Sequence, residues 1–494
     1  MPPITPPVLP ATARVLPITA RVLPRATSGI AATTPRRHPA SRRVPGLLAA
    51  VVFLLYASYA LREHARFGTT GYDLGIFDQA VRSYAEGRWP SSGIRTATAP
   101  PGFDGDAYPL LGDHFHPILA LLAPLYLLAP HAETLLVGQA ALVAGSAYVI
   151  ARAAQRHLPQ RSAAPALGLA YGLSWGLQHL VAFDFHEVAF AVALLALAGR
   201  AFLDGRWVAA AWWGAAVLLV KEDLGVTAAV LGLLILPHHR RAGLLLAGSS
   251  LVAAASTVLV VMPALAPDGR YGYLAQPHAY GVLDGWPTKL LTLAALLAIT
   301  AGTGVRSPFA LLLLPTLVWR LFSPNPAYWG MELHYSAVLM PIAFVALIDV
   351  LRRGTRLPVP VPLLVAVLLL PGQPLRDLVT PAFWQDTPRQ TAARAALDLV
   401  PSGVRVAASN SLAPHLTDRA TVHLVADGVL GRTRDIDWIV ADTHDAFPEG
   451  AVAAVLGQAE ERGWRLVHER QGVVVLRAPP RALRAGRPAA ACGT

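Results

Sequence analysis

Long apolar runs recur from Val44 to Leu370, and a helix needs about 20 apolar residues to cross a bilayer. No water-soluble core buries that many uniformly apolar segments, so lipid must be the solvent for most of them. Charge content agrees: 14% of the 494 residues are charged, against roughly 25% in a soluble domain. The net charge of +11 resides mostly in arginines of short loops, where it orients helices. No basic stripe with interleaved aromatics points to nucleic acid. The single Cys492 excludes an intrachain disulfide framework and cysteine-cluster zinc sites.

Residues 1–43 are rich in Pro, Ala, Thr and Arg; such a composition builds no core and reads as a disordered cytoplasmic tail. Arg36, Arg37, Arg42 and Arg43 precede the first span, about 44–61, and place that end in the cytoplasm. A long polar outer loop, 62–133, follows. Inside it, Pro117 to Pro130 is apolar but short and broken by Pro124, which suits a re-entrant or interfacial segment. Ten further spans are expected near 134–151, 162–180, 187–203, 207–220, 224–237, 242–262, 289–305, 308–322, 336–351 and 358–371. The fold expected is therefore an all-α polytopic membrane protein of about eleven transmembrane helices, residues 44–371. The basic loops around Arg152–Arg161, Arg200–Arg206, His238–Arg241, Arg306 and Arg352–Arg356 then share one side. Residues 372–494 read as a small α/β soluble domain on the other side with a disordered end. Its strands are expected at 404–408, 421–425, 438–441 and 464–468, with a helix at 451–462.

Five polar clusters fall at the outer helix ends. Tyr72 to Gln79 carries an apolar stripe (Leu74, Phe77, Val81, Tyr84) for a helix on the membrane surface. Within it, Asp73 is placed either to cap that helix or to act as a base, and Asp78 to pair with Arg82 four residues on. Asp113, His114 and His116 offer donors for a divalent cation or a phosphate, or form a polar turn into a helix begun by Pro117. His186 and Glu187 follow Asp184 and Phe185, and ionisable groups near membrane depth usually face a cavity. Lys221, Glu222 and Asp223 interrupt an apolar stretch, either as a snorkelling lysine with neighbouring acids or as an anion site. Lysine occurs only at 221 and 289, which favours a phosphate for Lys221. The fifth cluster runs from Tyr328 to Ser336; an interfacial aromatic belt explains Trp329 and Tyr335 but not Glu332 and His334.

Taken in order, Tyr72 to Gln79, Gly112 to Phe115, Phe185 to Glu187, Lys221 to Gly225 and His334 to Ser336 resemble a bacterial family of predicted membrane proteins, domain of unknown function 2079. The layout also resembles the GT-C type of membrane glycosyltransferase, in which an acidic residue begins the long first outer loop and a Pro-containing segment enters before the second span. Asp73 and His116-Pro117 take those positions, although Leu74 stands where many relatives have a second acid and Pro117 where many have a pair.

The resemblance implies sugar transfer from a polyprenyl-phosphate carrier at the outer leaflet. Asp73 would be general base, and Lys221 with His114 or His186 would stabilise the departing phosphate. Asp78, Asp113 and Glu187 would orient these groups or hold a divalent metal; His116, Glu222, His334 and Tyr335 would complete the substrate site. The C-terminal domain would present or recognise the acceptor. The rivals are a transporter or lipid flippase, with charges near the bilayer midplane, and a non-catalytic scaffold, with no convergence of the five clusters.

Overall fold

The computed structural model describes residues 39–272, 280–281, 283–432 and 435–480. Nearly all of the tail, and the chain from 481 onward with Cys492, lie outside the described residues.

Each stretch expected to span is largely helical, but helix length separates them. Among the described residues, four helices are long and apolar enough to cross a membrane, at Arg43–Ala65, Ala132–His157, Arg240–Leu265 and His334–Arg352. Shorter apolar helices of 10–17 residues include Val188–Leu203, Leu224–Ile235 and Pro308–Phe322. At 1.5 Å per residue these reach roughly 15–25 Å of the ~30 Å hydrocarbon. Among the described residues, length therefore supports four full spans where the apolar pattern implied eleven. The cause is local: the 162–180 stretch breaks at Leu173-Ser174 into Ala163–Gly172 and Trp175–Ala182, and the 289–305 stretch stops where Ala301 and Gly302 adopt positive φ. Pro117–Tyr126 is also short and helical, and packs on the helix Ile76–Ala85.

Three helices show a common polarity. Arginine-bearing ends of Ala132–His157, Val188–Leu203 and Leu339–Arg352 meet: Arg156 and His157 each lie 2.8 Å from Asp204, and Arg352 donates to the Leu203 carbonyl at 2.7 Å. Asp349 takes Arg352, Arg353 and the Ser307 hydroxyl. Acidic and histidine residues gather at the opposite ends of the same helices, with Glu187 immediately before Val188 and His334-Tyr335 just before Leu339.

A two-stranded ribbon pairs β1 (Ser91–Ser92) with β2 (Tyr108–Pro109) in the outer loop. The C-terminal sheet holds β3 (Arg405–Ala408), β4 (Thr421–Leu424), β5 (Trp438–Asp442), β6 (Arg465–Arg470) and β7 (Val473–Arg477), in the order β4-β3-β5-β7-β6. Neighbours β4, β3 and β5 run parallel, while β7 is antiparallel to β5 and β6. Strand β7 was not expected, because Val473-Val474-Val475-Leu476 is uniformly apolar and lacks alternation. It is buried on both faces, as such runs are. Val406, Ala408, Val440, Val473 and Val475 join the core shared with the membrane helices. Their alternate neighbours Ala407, Ile439, Ala441 and Val474 pack with Val452 and Val455 of the helix Ala451–Glu461, following the two-residue period of strands.

This domain rests on the C-terminal end of the first helix. Arg62 donates to the Phe383 carbonyl at 2.8 Å, Arg394 to the Ala65 carbonyl at 2.9 Å, and His64 stacks on His415 at 4.0 Å. The sheet and the polar helix ends thus lie on one side of the molecule, opposite the arginine cluster.

Candidate functional site

The polar helix ends enclose a cavity of about 620 Å³. Its lining includes every residue singled out from the sequence for the site except Asp78: Asp73, Asp113, His114, His116, His186, Glu187, Lys221, Glu222, His334 and Tyr335. The five sequence clusters converge, a result the scaffold reading did not anticipate.

Asp73 sits in a π-helical turn, Gly71–Gly75, that runs into the helix Ile76–Ala85. The N-cap positions of the two segments are Thr70 and Gly75, and neither residue caps with its own side chain, so Asp73 is not the N-cap that its residue type allowed. Its carboxylate instead lines the cavity, with 24% of the side chain exposed, 3.6 Å from His186 Nε2. Asp78 follows five residues later, about 140° around a helix of 3.6 residues per turn. It therefore points away from the cavity, fully buried, accepting from Tyr126 Oη at 2.7 Å and pairing with Arg82 at 3.2 Å. The pairing with Arg82 is as expected; a place for Asp78 in the cavity is not found.

From Asp73 a row of ionisable groups crosses the cavity wall. His186 Nδ1 lies 3.7 Å from Glu187 Oε2, and Glu187 Oε1 lies 3.1 Å from Lys221 Nζ. Lys221 thus pairs with an acid of another loop. Its neighbour Glu222 turns to His114 Nδ1 at 2.8 Å, the Phe115 N–H at 3.1 Å and Tyr271 Oη at 3.2 Å. Asp113 accepts two hydrogen bonds from Arg95, at 2.8 and 3.0 Å, a charge-assisted fork.

These pairings divide the acids by proton affinity. Burial raises Glu222, but His114 and Lys221 outweigh it and bring the group to about 2. Burial likewise opposes Arg95 at Asp113, and Arg95 prevails, leaving that carboxyl below its ordinary value. For Asp73 burial wins, followed by the opposing effects of His186 and Glu187, and its pKa is raised. Burial chiefly lifts Asp223 to about 6. Asp73 and Asp223 are thus the lining carboxylates whose proton affinity burial raises, whereas the cationic partners of Glu222 and Asp113 lower theirs.

The turn before His186 is built from outside. Gln139 accepts from the His186 N–H at 2.9 Å and donates to the Asp184 carbonyl at 2.6 Å, while Asp184 accepts from Thr70 N–H and Oγ1 at 2.8 and 2.7 Å. Asp184 holds φ 57°, a region that Asp tolerates. His186 stacks on His334 with centroids 3.6 Å apart, and Phe183 stacks on His186 at 5.3 Å. Neither ring nitrogen of His334 has a hydrogen-bond partner among the described residues, nor has His116 Nδ1.

Several contributors went unread in the sequence. Arg95 is unremarkable in a polar loop, and Tyr271 lies far along the chain. Arg320 did carry a signal, an arginine inside the apolar 308–322 stretch, where an intramembrane charge marks a site. Fully buried, it donates to the Tyr328 carbonyl (2.9 Å), the Gly330 carbonyl (2.7 Å) and Ser336 Oγ (2.9 Å). It thereby fixes the loop that delivers His334 and Tyr335, in which Leu333 holds φ 68°, a strained angle for leucine. Glu332 is exposed and outside the cavity lining. Arg320→Lys is expected to cost about 2–4 kcal/mol, because one ammonium cannot serve three separated acceptors. Thermal unfolding in detergent reads this, and an unchanged melting temperature would show that the loop stands without the guanidinium.

Away from the charges, Trp319, Phe322, Tyr328 and Tyr335 line the cavity. Phe322 is 61% exposed, on a helix whose Leu314 and Val318 also face outward. The cavity is thus polar at one end and aromatic at the other, beside an apolar outer surface. Among the described residues no three His, Cys, Asp or Glu side chains are arranged to hold a metal ion. Glu187, Glu222 and Asp113 are each committed to a cationic or imidazole partner, so a divalent cation would have to displace one.

Comparison with solved structures finds the same architecture. The crystal structure of ArnT from Cupriavidus metallidurans in the apo state matches at a TM-score of 0.53 and 13% identity, over 89% of this chain and 100% of that one. The structure of ArnT bound to undecaprenyl phosphate matches at 0.51 and 13% identity, over 88% and 99%. ArnT is a GT-C glycosyltransferase, and at this identity the likeness establishes the fold. No curated protein matches the chain. The family model for a predicted membrane protein, DUF2079, matches residues 63–475, most of the chain, and the protein belongs to that family.

Proposed function

We propose that this membrane protein transfers a sugar from a polyprenyl-phosphate carrier to an acceptor hydroxyl on the extracytoplasmic side. The observation that carries the reading is the single cavity in which Asp73, His186, Glu187 and Lys221 follow one another at 3.1–3.7 Å, with an aromatic wall beside an apolar surface. A lipid phosphate needs both ends: cationic groups for the head and an apolar flank for the chain. Undecaprenyl phosphate bound to the structurally similar ArnT supports that choice of ligand.

In this reading Asp73 takes the proton from the acceptor hydroxyl as its oxygen bonds to the anomeric carbon. The bond from that carbon to the phosphate oxygen breaks, and its electron pair leaves with the lipid phosphate. Lys221 and His114 meet the charge that develops there, and Asp73 returns its proton to water. Burial raises the proton affinity of Asp73, which strengthens it as a base.

The arginine cluster marks the cytoplasmic end of the helices by the positive-inside rule, so the cavity and the C-terminal domain face the other compartment. The apolar helices shorter than a full span complete the eleven crossings together with the segments that extend them. The domain boundaries 1–43, 44–371 and 372–494 are part of the same proposal.

The test is sugar release by purified protein from a panel of polyprenyl-phosphate-linked donors. Release should fall in acid, with its limb above 3.8, the ordinary Asp value, because a base must be unprotonated and this one holds its proton to higher pH. No release from any donor would end the proposal.

A further inference from the structure

We infer that Asn410, in the C-terminal domain, is the cap of the turn that carries Asp73, so that this domain, which does not itself line the cavity, holds one of its wall segments in place from behind. The consequence for turnover rests on the proposed role of Asp73; the cap itself does not.

The first N–H groups of a helix have no partner within it. Thr70, which stands at the N-cap position, makes no side-chain cap, since its hydroxyl is engaged by Asp184. The missing acceptors come from 338 residues away. The Asn410 carbonyl accepts from the Gly71 N–H at 2.6 Å, and Asn410 Oδ1 accepts from the Tyr72 N–H at 2.8 Å. Both bonds fall within two residues of Asp73.

Asn410 is itself held rigidly. It follows β3, between Ser409, whose N–H donates to the Val440 carbonyl at 2.9 Å, and Ser411, whose N–H and hydroxyl donate to Asp445 at 2.7 and 3.0 Å. Only 7% of it is exposed. Gly71 permits the approach: a Cβ there would come within 2.6 Å of the Ala413 methyl and 3.3 Å of the Asn410 carbonyl oxygen. One side of the turn is thus fixed by Asp184, from the membrane helices, and the other by Asn410, from the sheet. Asp73 is placed between them, against His186.

Asn410 is a positioning residue, and its variants separate placement from chemistry. In full-length protein, Asn410→Ala should raise amide exchange across residues 70–76 about tenfold, the size expected for a lost cap. It should lower kcat about ten- to hundredfold with KM for the lipid donor unchanged, the signature of a displaced reacting group. Asn410→Asp keeps both acceptors and should restore exchange and kcat. Gly71→Ala, which pushes the domain off the turn, should reproduce the Asn410→Ala pattern. Unaltered exchange over 70–76 in Asn410→Ala would overturn the cap. Wild-type kcat in that variant, or failure of Asn410→Asp to recover it, would overturn the positioning role. If Asp73 is not the base, Asp73→Asn will keep full turnover while the exchange result stands unaffected.

Discussion

Asp73→Asn is expected to lower sugar transfer by about 10²–10⁴-fold, the range for loss of a positioned general base, while folding and donor binding stay near wild type. The substitution is almost isosteric and discriminates between the two roles open to this residue. Asparagine caps a helix as well as aspartate does, so a capping Asp73 would tolerate the change in stability and in rate. A base cannot, because the amide does not take up a proton. Thr70, not Asp73, stands at the N-cap position, and the Asp73 carboxylate lines the cavity 3.6 Å from His186. Single-turnover kinetics with a lipid-phosphate donor measure the rate, and thermal unfolding measures the fold. Turnover within about twofold of wild type, against that expected loss, would remove Asp73 as base.

Lys221→Met should produce two separable losses. Turnover should fall about 10²–10³-fold if the ammonium stabilises the departing phosphate. Stability should fall by about 3–5 kcal/mol, because Glu187 is left as a buried carboxylate without its cation. Glu187 is 1% exposed and lies 3.1 Å from Lys221, so water screens the pair little. Adding Glu187→Gln removes the orphaned charge and should recover most of the stability without recovering turnover. A double variant that regains both would show that Lys221 only neutralises Glu187. Lys221→Arg is not a neutral control, since a planar fork cannot replace a compact ammonium at a site built for one.

Much of this protein is written locally. Apolar runs and sparse charge declare a membrane protein, and the clustering of arginines in short loops is equally plain; both are properties of short windows that need no partner. The four strands expected in the C-terminal domain are present because alternation and β-branched residues act locally, whereas β7 escaped because a strand buried on both faces loses its alternation. Cluster by cluster, ten of the chosen site residues reached the cavity, since polar groups at apolar helix ends are costly unless they serve one another.

What required the fold is every relation between distant segments. Helix lengths, and so the number of full spans among the described residues, depend on backbone breaks such as Leu173-Ser174 and Ala301-Gly302, which hydropathy does not mark. That Asp73 faces the cavity and Asp78 does not follows from the phase of one turn, which Asp184 and Asn410 set from opposite sides. Lys221 chose Glu187 over its sequence neighbours because the chain brought that carboxylate to 3.1 Å. Composition and periodicity report which solvent each segment prefers; which charge meets which is decided only when loops hundreds of residues apart are packed together, for a Coulomb energy depends on distance and not on sequence order.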